Sequence, residues 1–367
     1  MAKKVIKEKS IEETLWESAN KLRGSVEPSE YKHVVLSLIF LKYANDRFDE
    51  RRNELIAEGK GAFVDQAVFY NAKNVFYIEE QSRWSFIMEN AKQNDIAIKI
   101  DKALSAIEDS NPSLKGALPS NYYSGLGLDR AKLAALLDEI NKIDTLKDPE
   151  NDLIGRVYEY FLAKFAIAEG KGKGEYYTPK SIVNLIAEII EPYRGKIYDP
   201  CCGSGGMFVQ SAKFIQNHQK DLHNISIYGQ EANPNTWKMC HMNLAIRGLE
   251  GNLGTYADTF FDDQHPTLKA DFIMANPPFN LDKWGQDRLL EDVRWKFGVP
   301  PSGNANFAWV QHMIHHLSPT GKIGLVLANG SLSSQTGGEG DIRRTIIEAD
   351  LVEGIIALPS QLFYSTG

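Results

Sequence analysis

Cysteine is scarce: 367 residues contain three, Cys201, Cys202 and Cys240, and none stands in CxxC spacing. That excludes a disulfide framework and a zinc ribbon, and it fits a reducing cytoplasm. Long apolar runs are missing too. The longest, Val34 to Leu41, falls well short of the ~20 residues that a bilayer span needs. The charged start MAKKVIKEKS has no apolar signal-peptide core, so neither export nor a membrane span is expected. Positive charge is not in excess either: Lys+Arg 41 against Asp+Glu 48 give −7 at pH 7. A protein that coats nucleic acid by bulk charge is excluded, and any contact with DNA needs positive surface from elsewhere. With no repeat or low-complexity tract, and with 43% hydrophobic and 24% charged residues, the chain reads as an ordinary folded protein. At about 150 residues per domain, its length predicts about two domains.

From Ile11 to about Ile143 the apolar residues recur at three and four, as in Leu36, Ile39, Phe40 and Tyr43, which predicts a helical first domain over residues 1–148. Pro28 with Ser29 opens one helix and Asp129 caps another. Gly59 to Ser82 is expected to be an irregular connection or a short hairpin, and Leu153 to Ala168 a bridging helix. Past the loop Gly170–Gly174 the pattern changes to short β-rich runs alternating with helical stretches. This predicts an α/β second domain over 149–367, a parallel sheet with helices on both faces. Strands are expected at Lys196–Cys201, Ile225–Glu231, Asn252–Asp258, Asp271–Ala275, Ile323–Asn329 and Val352–Leu358. Helices are expected at Lys180–Ile190, Gly206–Gln219, Pro234–Arg247, Asn304–Leu317 and Gly340–Glu348. The chain stops at Gly367 soon after the last of these strands, which predicts a sheet left with one raw edge and a shortened C-terminal end.

Five motifs carry chemistry. In the first, the run Ile197 to Asp199 leads through Pro200, Cys201 and Cys202 into Gly203, Ser204, Gly205 and Gly206. A strand thus ends in a glycine turn before a helix, at the edge where open α/β sheets bind small molecules. A ligand-free tight turn explains the same residues, and the GxGxxG of nicotinamide sites is absent. The second is Glu231, at the tip of the next strand, placed to accept hydrogen bonds from a ribose diol. The third is Asp258, which either accepts from an adenine amine or caps a turn through Thr259 and Phe260.

Asn276, Pro277, Pro278 and Phe279, at the end of an apolar strand, form the fourth motif. Two prolines stiffen the loop and remove two donors, leaving an acceptor-rich pocket. An amine on a heteroaromatic ring is a poor nucleophile until acceptors hold its hydrogens and turn its lone pair outward. The Asn276 side-chain oxygen and the Pro277 carbonyl suit that task, and Phe279 suits stacking on a base drawn out of a duplex. The fifth is Glu175, Tyr176, Tyr177, Thr178, Pro179 and Lys180. Here Thr178 is expected to cap a helix whose first residue is Pro179, either as a plain helix start or with its free N–H groups turned to a carboxylate.

No GxxxxGK[ST] occurs, so nucleotide hydrolysis is not expected. His312, His315 and His316 lie close on one helix, but no nearby acid or cysteine completes a metal set, and no metal is expected. Cys201 and Cys202 are expected to pack rather than react.

The ordered set Glu175 to Pro179, Asp199 and Pro200 with Gly203 to Gly206, Glu231, and Asn276 to Phe279 resembles amino-group DNA methyltransferases. With the helical first half and Pro28–Tyr31 leading into Leu38–Tyr43, it resembles the modification subunit of type I restriction-modification systems over nearly the whole chain. That resemblance implies a Rossmann-like methyltransferase domain behind an all-α domain. It also implies methyl transfer from S-adenosylmethionine to N6 of adenine in double-stranded DNA. Glu175 to Lys180, Asp199, Gly203 to Gly206, Glu231 and Asp258 would serve the cofactor, and Asn276 to Phe279 the target base. A separate specificity subunit would choose the site, and a restriction subunit can join. Two rival readings share these residues: an amine methyltransferase for RNA or protein glutamine, and a non-catalytic scaffold.

Overall fold

The computed structural model describes residues 10–20, 28–146, 153–168, 178–218, 221–360 and 362. The chain divides into two compact units, Met1–Glu169 with Lys238–Glu250, and Gly170–Trp237 with Gly251–Gly367. Among the described residues no helix is long and apolar enough to cross a membrane.

The first unit is helical, as the three-and-four spacing predicts: α1 (Ile11–Asn20), α2 (Pro28–Ala57), α3 (Val68–Asn71), α4 (Trp84–Asn90), α5 (Ile96–Ser110), α6 (Tyr122–Gly125), α7 (Arg130–Asn141) and α8 (Leu153–Ala168). Val34 to Leu41 in α2 are buried all round. The apolar run too short for a membrane is therefore a core helix. Asp101, 4% exposed, is a buried polar residue with a full set of partners. The Asp101 carboxylate on α5 accepts the N–H groups of Tyr122, Tyr123 and Ser124, each at 2.9 Å, and so satisfies the start of α6. Asp129 caps α7 by accepting the Lys132 N–H at 3.0 Å. Between Gly59 and Ser82 the chain forms 3₁₀ turns and α3, the irregular connection rather than the hairpin.

After α8 follow α9 (Lys180–Ile190), β1 (Gly195–Asp199), α10 (Gly206–Asn217), β2 (Ile225–Gly229), α11 (Pro234–Ile246), β3 (Gly251–Asn252), β4 (Ala270–Ala275), α12 (Asn306–His316), β5 (Leu317–Leu325) and α13 (Glu339–Glu348), all in the second unit except α11, which belongs to the first from Lys238 on. Among the described residues five strands form one parallel sheet, β3-β2-β1-β4-β5. Side chains alternate across it as the pleat requires. Ile273 and Ala275 pack with Ala308, Trp309 and Met313 of α12, whereas Met274 packs with Ile182, Val183 and Ile186 of α9 and with Met207 of α10. Both faces are therefore covered, the expected α/β layering. The order reverses between β1 and β4, which makes their carboxyl ends the crevice of the sheet.

β1 and β2 end two residues before expectation, at Asp199 and Gly229, and three other expected strands differ more. β3 pairs over two residues because Gly254, at φ +56° and with Gln264 packed where a Cβ would stand, turns the chain away. β5 begins directly after α12, and Asn329–Leu332 form a 3₁₀ turn where the expected strand would end. Val352–Leu358 are not a strand. Their β-branched residues favour extension, but β5 is the last strand of the described sheet and no ladder joins this segment to it, so Val352, Ile355 and Ile356 stay exposed.

Candidate active site

Pro200 follows β1 without an N–H to continue a ladder, and the turn after it is tied to the end of β2. The Gln230 N–H donates to the Asp199 carbonyl at 3.0 Å, and the Cys202 N–H donates to the Gln230 carbonyl at 2.9 Å. Gly203 (φ +53°) and Gly205 (φ +81°) adopt the left-handed region, where a side chain would be strained. Gly205 stands at the start of α10, and a Cβ added to Gly206 would meet open space. Glu231 closes this corner: its carboxylate accepts the Gly203 N–H at 3.1 Å and the Asn233 N–H at 2.8 Å. The structure thus brings Asp199, Gly203, Gly205 and Glu231 together.

Asp199 is buried, with one carboxylate oxygen taking the Cys201 N–H at 3.0 Å. Burial pushes its carboxyl up to about 7, against that hydrogen bond, and the Glu231 charge adds to the rise. Burial likewise pushes the Cys201 thiol well above its ordinary value, helped by the charges of Asp199 and Glu231. A thiol held neutral is a poor nucleophile, in keeping with a packing role.

The loop after β3 joins the same corner. The Ala257 N–H donates to the Glu231 carbonyl at 3.0 Å, and the Thr259 hydroxyl donates to the Pro200 carbonyl at 2.6 Å. Asp258 accepts the Phe260 N–H at 2.8 Å through one carboxylate oxygen. Sequence reasoning passed over the residue that organises this loop. Gln230, wholly buried, donates to the Ala257 and Asp262 carbonyls at 3.2 and 2.8 Å and accepts the Gln264 N–H at 3.1 Å. It signals itself in the sequence only as a polar residue at a strand end.

β4 lies beside β1 and runs parallel to it, with Tyr198 opposite Ile273, so Asn276 and the glycine turn leave the sheet at the same carboxyl edge. The acceptor loop therefore borders the glycine turn. The Asn276 amide nitrogen donates to the Thr178 hydroxyl at 3.1 Å, and its amide oxygen is buried without a partner. Pro277 is buried, and Phe279 is partly buried against the cluster formed by α9 and α10. Thr178 is not the helix cap that the sequence predicts. The helix begins at Lys180, and Pro179, at ψ 133°, is the residue before it. A residue ahead of proline is pushed toward extended geometry, and Thr178 turns its hydroxyl to Asn276 instead. Glu175, Tyr176 and Tyr177 lie outside the described residues.

The histidines of α12 also differ from expectation, because the fold supplies the acid that the local sequence lacks. Asp263 lies with His312 and His316 in a group of the kind that can hold a metal. Their ring nitrogens, however, already have protein partners. Arg294 donates to His312 Nδ1 at 3.0 Å, His312 Nε2 meets the Tyr198 hydroxyl at 3.0 Å, and His316 bonds the Leu268 carbonyl at 3.1 Å and Asp263 at 2.9 Å. A guanidinium has only donors, so His312 Nδ1 is an acceptor and Nε2 carries the hydrogen. Burial pushes His312 well below its ordinary value. Against the upward push of burial, hydrogen bonds from His316 and from the His265 main chain hold Asp263 at about 2. This is a satisfied hydrogen-bond network under the sheet.

A family model described as N-6 DNA Methylase matches residues 149–367, and one described as HsdM N-terminal domain matches residues 11–142. The chain belongs to the N-6 DNA methylase family. It is 53% identical over 285 residues to the type I restriction enzyme HindI methylase subunit of Haemophilus influenzae, a match that covers 75% of this chain and 64% of that protein. It is 39% identical to the type I restriction enzyme MjaIX methylase subunit of Methanocaldococcus jannaschii, covering 97% of this chain and 67% of that protein. The chain thus spans about two thirds of the length of these curated relatives. Among solved structures, the methyltransferase subunit of a type I restriction-modification system from Streptococcus thermophilus matches with a TM-score of 0.79 at 23% identity. That match covers 97% of this chain and 82% of the other, and it supports the fold.

Proposed function

We propose that this N-6 DNA methylase family member is the methyl-transferring subunit of a type I restriction-modification complex. It acts on N6 of adenine in double-stranded DNA at a site chosen by a specificity subunit, with a restriction subunit as a further partner and the cytoplasm as its setting. The observation that carries this reading is the buried, unpartnered Asn276 oxygen on the loop after β4, the strand that pairs with β1 and its glycine turn. Such an acceptor is costly to bury and suits one incoming donor.

The corner residues fit S-adenosylmethionine. Glu231 accepts the Gly203 and Asn233 N–H groups, and a carboxylate, with acceptor sites only, suits the two donors of a ribose diol. Gly203 and Gly205 bring main chain close to a ligand, and the space over Gly206 is open. Glu175 to Lys180, Asp199, Ser204 and Asp258 complete the proposed cofactor set. When bound, the cofactor supplies a methyl group made electrophilic by a sulfonium.

On the target side, Asn276 Oδ1 and the Pro277 carbonyl accept the two amine hydrogens, and this turns the nitrogen lone pair toward the crevice. Pro278 keeps the loop stiff and Phe279 lies against the base. Once it carries the methyl group the amine is cationic and gives one proton to solvent or to a carbonyl, so no strong base is required. Most of the catalysis is positioning.

The test is methyl transfer by the full-length protein with its partner subunits, using labelled cofactor and DNA, RNA or protein as acceptor. Asn276→Ala is expected to abolish transfer to DNA and to retain cofactor binding; loss of both together overturns the division of roles. Transfer to RNA or protein alone would favour the rival methyltransferase reading, and failure to bind the cofactor would favour the scaffold.

A further inference from the structure

The acceptor loop is gripped at its far end by a residue that no motif contains. Asn280, directly after Phe279, stands in the left-handed backbone region at φ +53°, a conformation that a non-glycine residue holds only when its surroundings enforce it. Asn306, the first residue of α12, is 1% exposed. Its amide oxygen accepts the Asn280 N–H at 3.0 Å. Its amide nitrogen donates to the Asn280 side-chain oxygen at 3.0 Å and to the Ser331 hydroxyl at 2.9 Å.

The Asn280 N–H can only donate, which fixes the Asn306 amide: oxygen toward Asn280 N–H, both nitrogen hydrogens toward the two oxygens. A flipped amide would set donor against donor. The Asn306 main-chain N–H is held by Asn304 Oδ1 at 2.9 Å. On the other side, Arg343 donates to the Ser331 and Ser334 carbonyls at 3.1 and 2.9 Å. One buried carboxamide therefore ties the loop after β4 to the head of α12 and to the turn after β5.

We infer that Asn306 is a positioning residue for methyl transfer: by clamping Asn280 it fixes the path of the loop and so the place of the Asn276 oxygen and the Pro277 carbonyl. This rests on the methyltransferase reading for its kinetic part alone. In-line transfer tolerates little displacement, and an error of about 1 Å costs on the order of a hundredfold in rate.

The experiment compares Asn306→Ala, Asn280→Gly and the double variant in the full-length protein with its partner subunits. It measures kcat and KM for DNA methylation, cofactor Kd, and hydrogen exchange of the peptide containing residues 276–281. Asn280→Gly keeps the left-handed backbone accessible and the N–H bond to Asn306, and it removes the side chain whose oxygen Asn306 holds. Expected are faster exchange of that peptide and a fall of about tenfold to a hundredfold in kcat for Asn306→Ala, unchanged cofactor Kd, and a double variant no slower than Asn306→Ala. Wild-type kcat and exchange in Asn306→Ala, or losses that multiply in the double variant, would overturn the inference. Should Asn306→Ala not fold, Asn280→Gly decides, and unchanged exchange and kcat in it overturn the clamp. A wild-type protein that transfers no methyl to DNA defeats the reading of function, and the exchange result still decides the clamp.

Discussion

Asn276 gives its amide nitrogen to the Thr178 hydroxyl at 3.1 Å and keeps its buried oxygen free of any protein partner. The two facts are one device, because the hydrogen bond at one end of the carboxamide limits its rotation and leaves the other end available. Thr178→Val removes the hydroxyl and keeps the shape. One such bond is worth about 1 kcal/mol, so kcat for methylation is expected to fall about fivefold, with Thr178→Ser restoring it. Initial rates at saturating cofactor and DNA check this, and a valine variant with wild-type kcat would refute it.

The carboxyl of Asp199 gives a pH signature. Its folded value of about 7 lies above the ordinary carboxylate value of 3.8, so the folded state holds the proton that the unfolded chain releases. Its contribution to stability is full below about pH 4 and is lost as pH rises through about 7. Asp199→Asn keeps an acceptor for the Cys201 N–H and cannot ionise. The variant is expected to gain stability over wild type as pH rises from 5 to 8, on the order of a few kcal/mol. The difference between the two proteins isolates Asp199 from buried His312, whose lowered value acts in the opposite direction below about pH 6.5. Denaturant unfolding at several pH values measures it, and parallel curves would show that the carboxyl ionises freely.

Gln230→Ala removes two donated bonds and one accepted bond from a wholly buried side chain. A loss of about 3 kcal/mol is expected, read from the midpoint of chemical denaturation. Because Gln230 holds the loop that carries Asp258 beside Glu231, cofactor affinity by calorimetry should weaken as well.

Gly205→Val places a β-branched residue at φ +81° at the start of α10. The strain costs on the order of 1–3 kcal/mol. S-adenosylmethionine binding by calorimetry should be lost while the helical content seen by circular dichroism is kept. Unchanged affinity would remove the turn from the cofactor site.

Elements with a full period of apolar residues were legible from the sequence. Lys180–Ile190 and Leu153–Ala168 form helices over the expected residues, and the strands around Ile197, Ile227 and Ile273 appear where the β-rich runs stand. Val352–Leu358 shows the limit, since extension is a local preference and a ladder requires a neighbour. Thr178 shows another: its sequence context describes a cap, and only the fold reveals the competing partner directly after β4. The glycine turn and the acceptor loop meet because β1 and β4 are adjacent in the sheet, an order that no local pattern of the sequence states. Gln230, Arg294 and Asn306 act through partners far along the chain, and Asp263 reaches His316 across a similar separation. No local pattern announces such pairs.

The two margins of the sheet are unequal in what they offer to another polypeptide. β3, bonded over two residues, is too brief to template a neighbour. The nine-residue β5 lies at the opposite margin, in a unit whose nearby chain leaves Leu351, Val352, Ile355 and Ile356 in water. A further strand could therefore extend the described sheet along β5 rather than along β3.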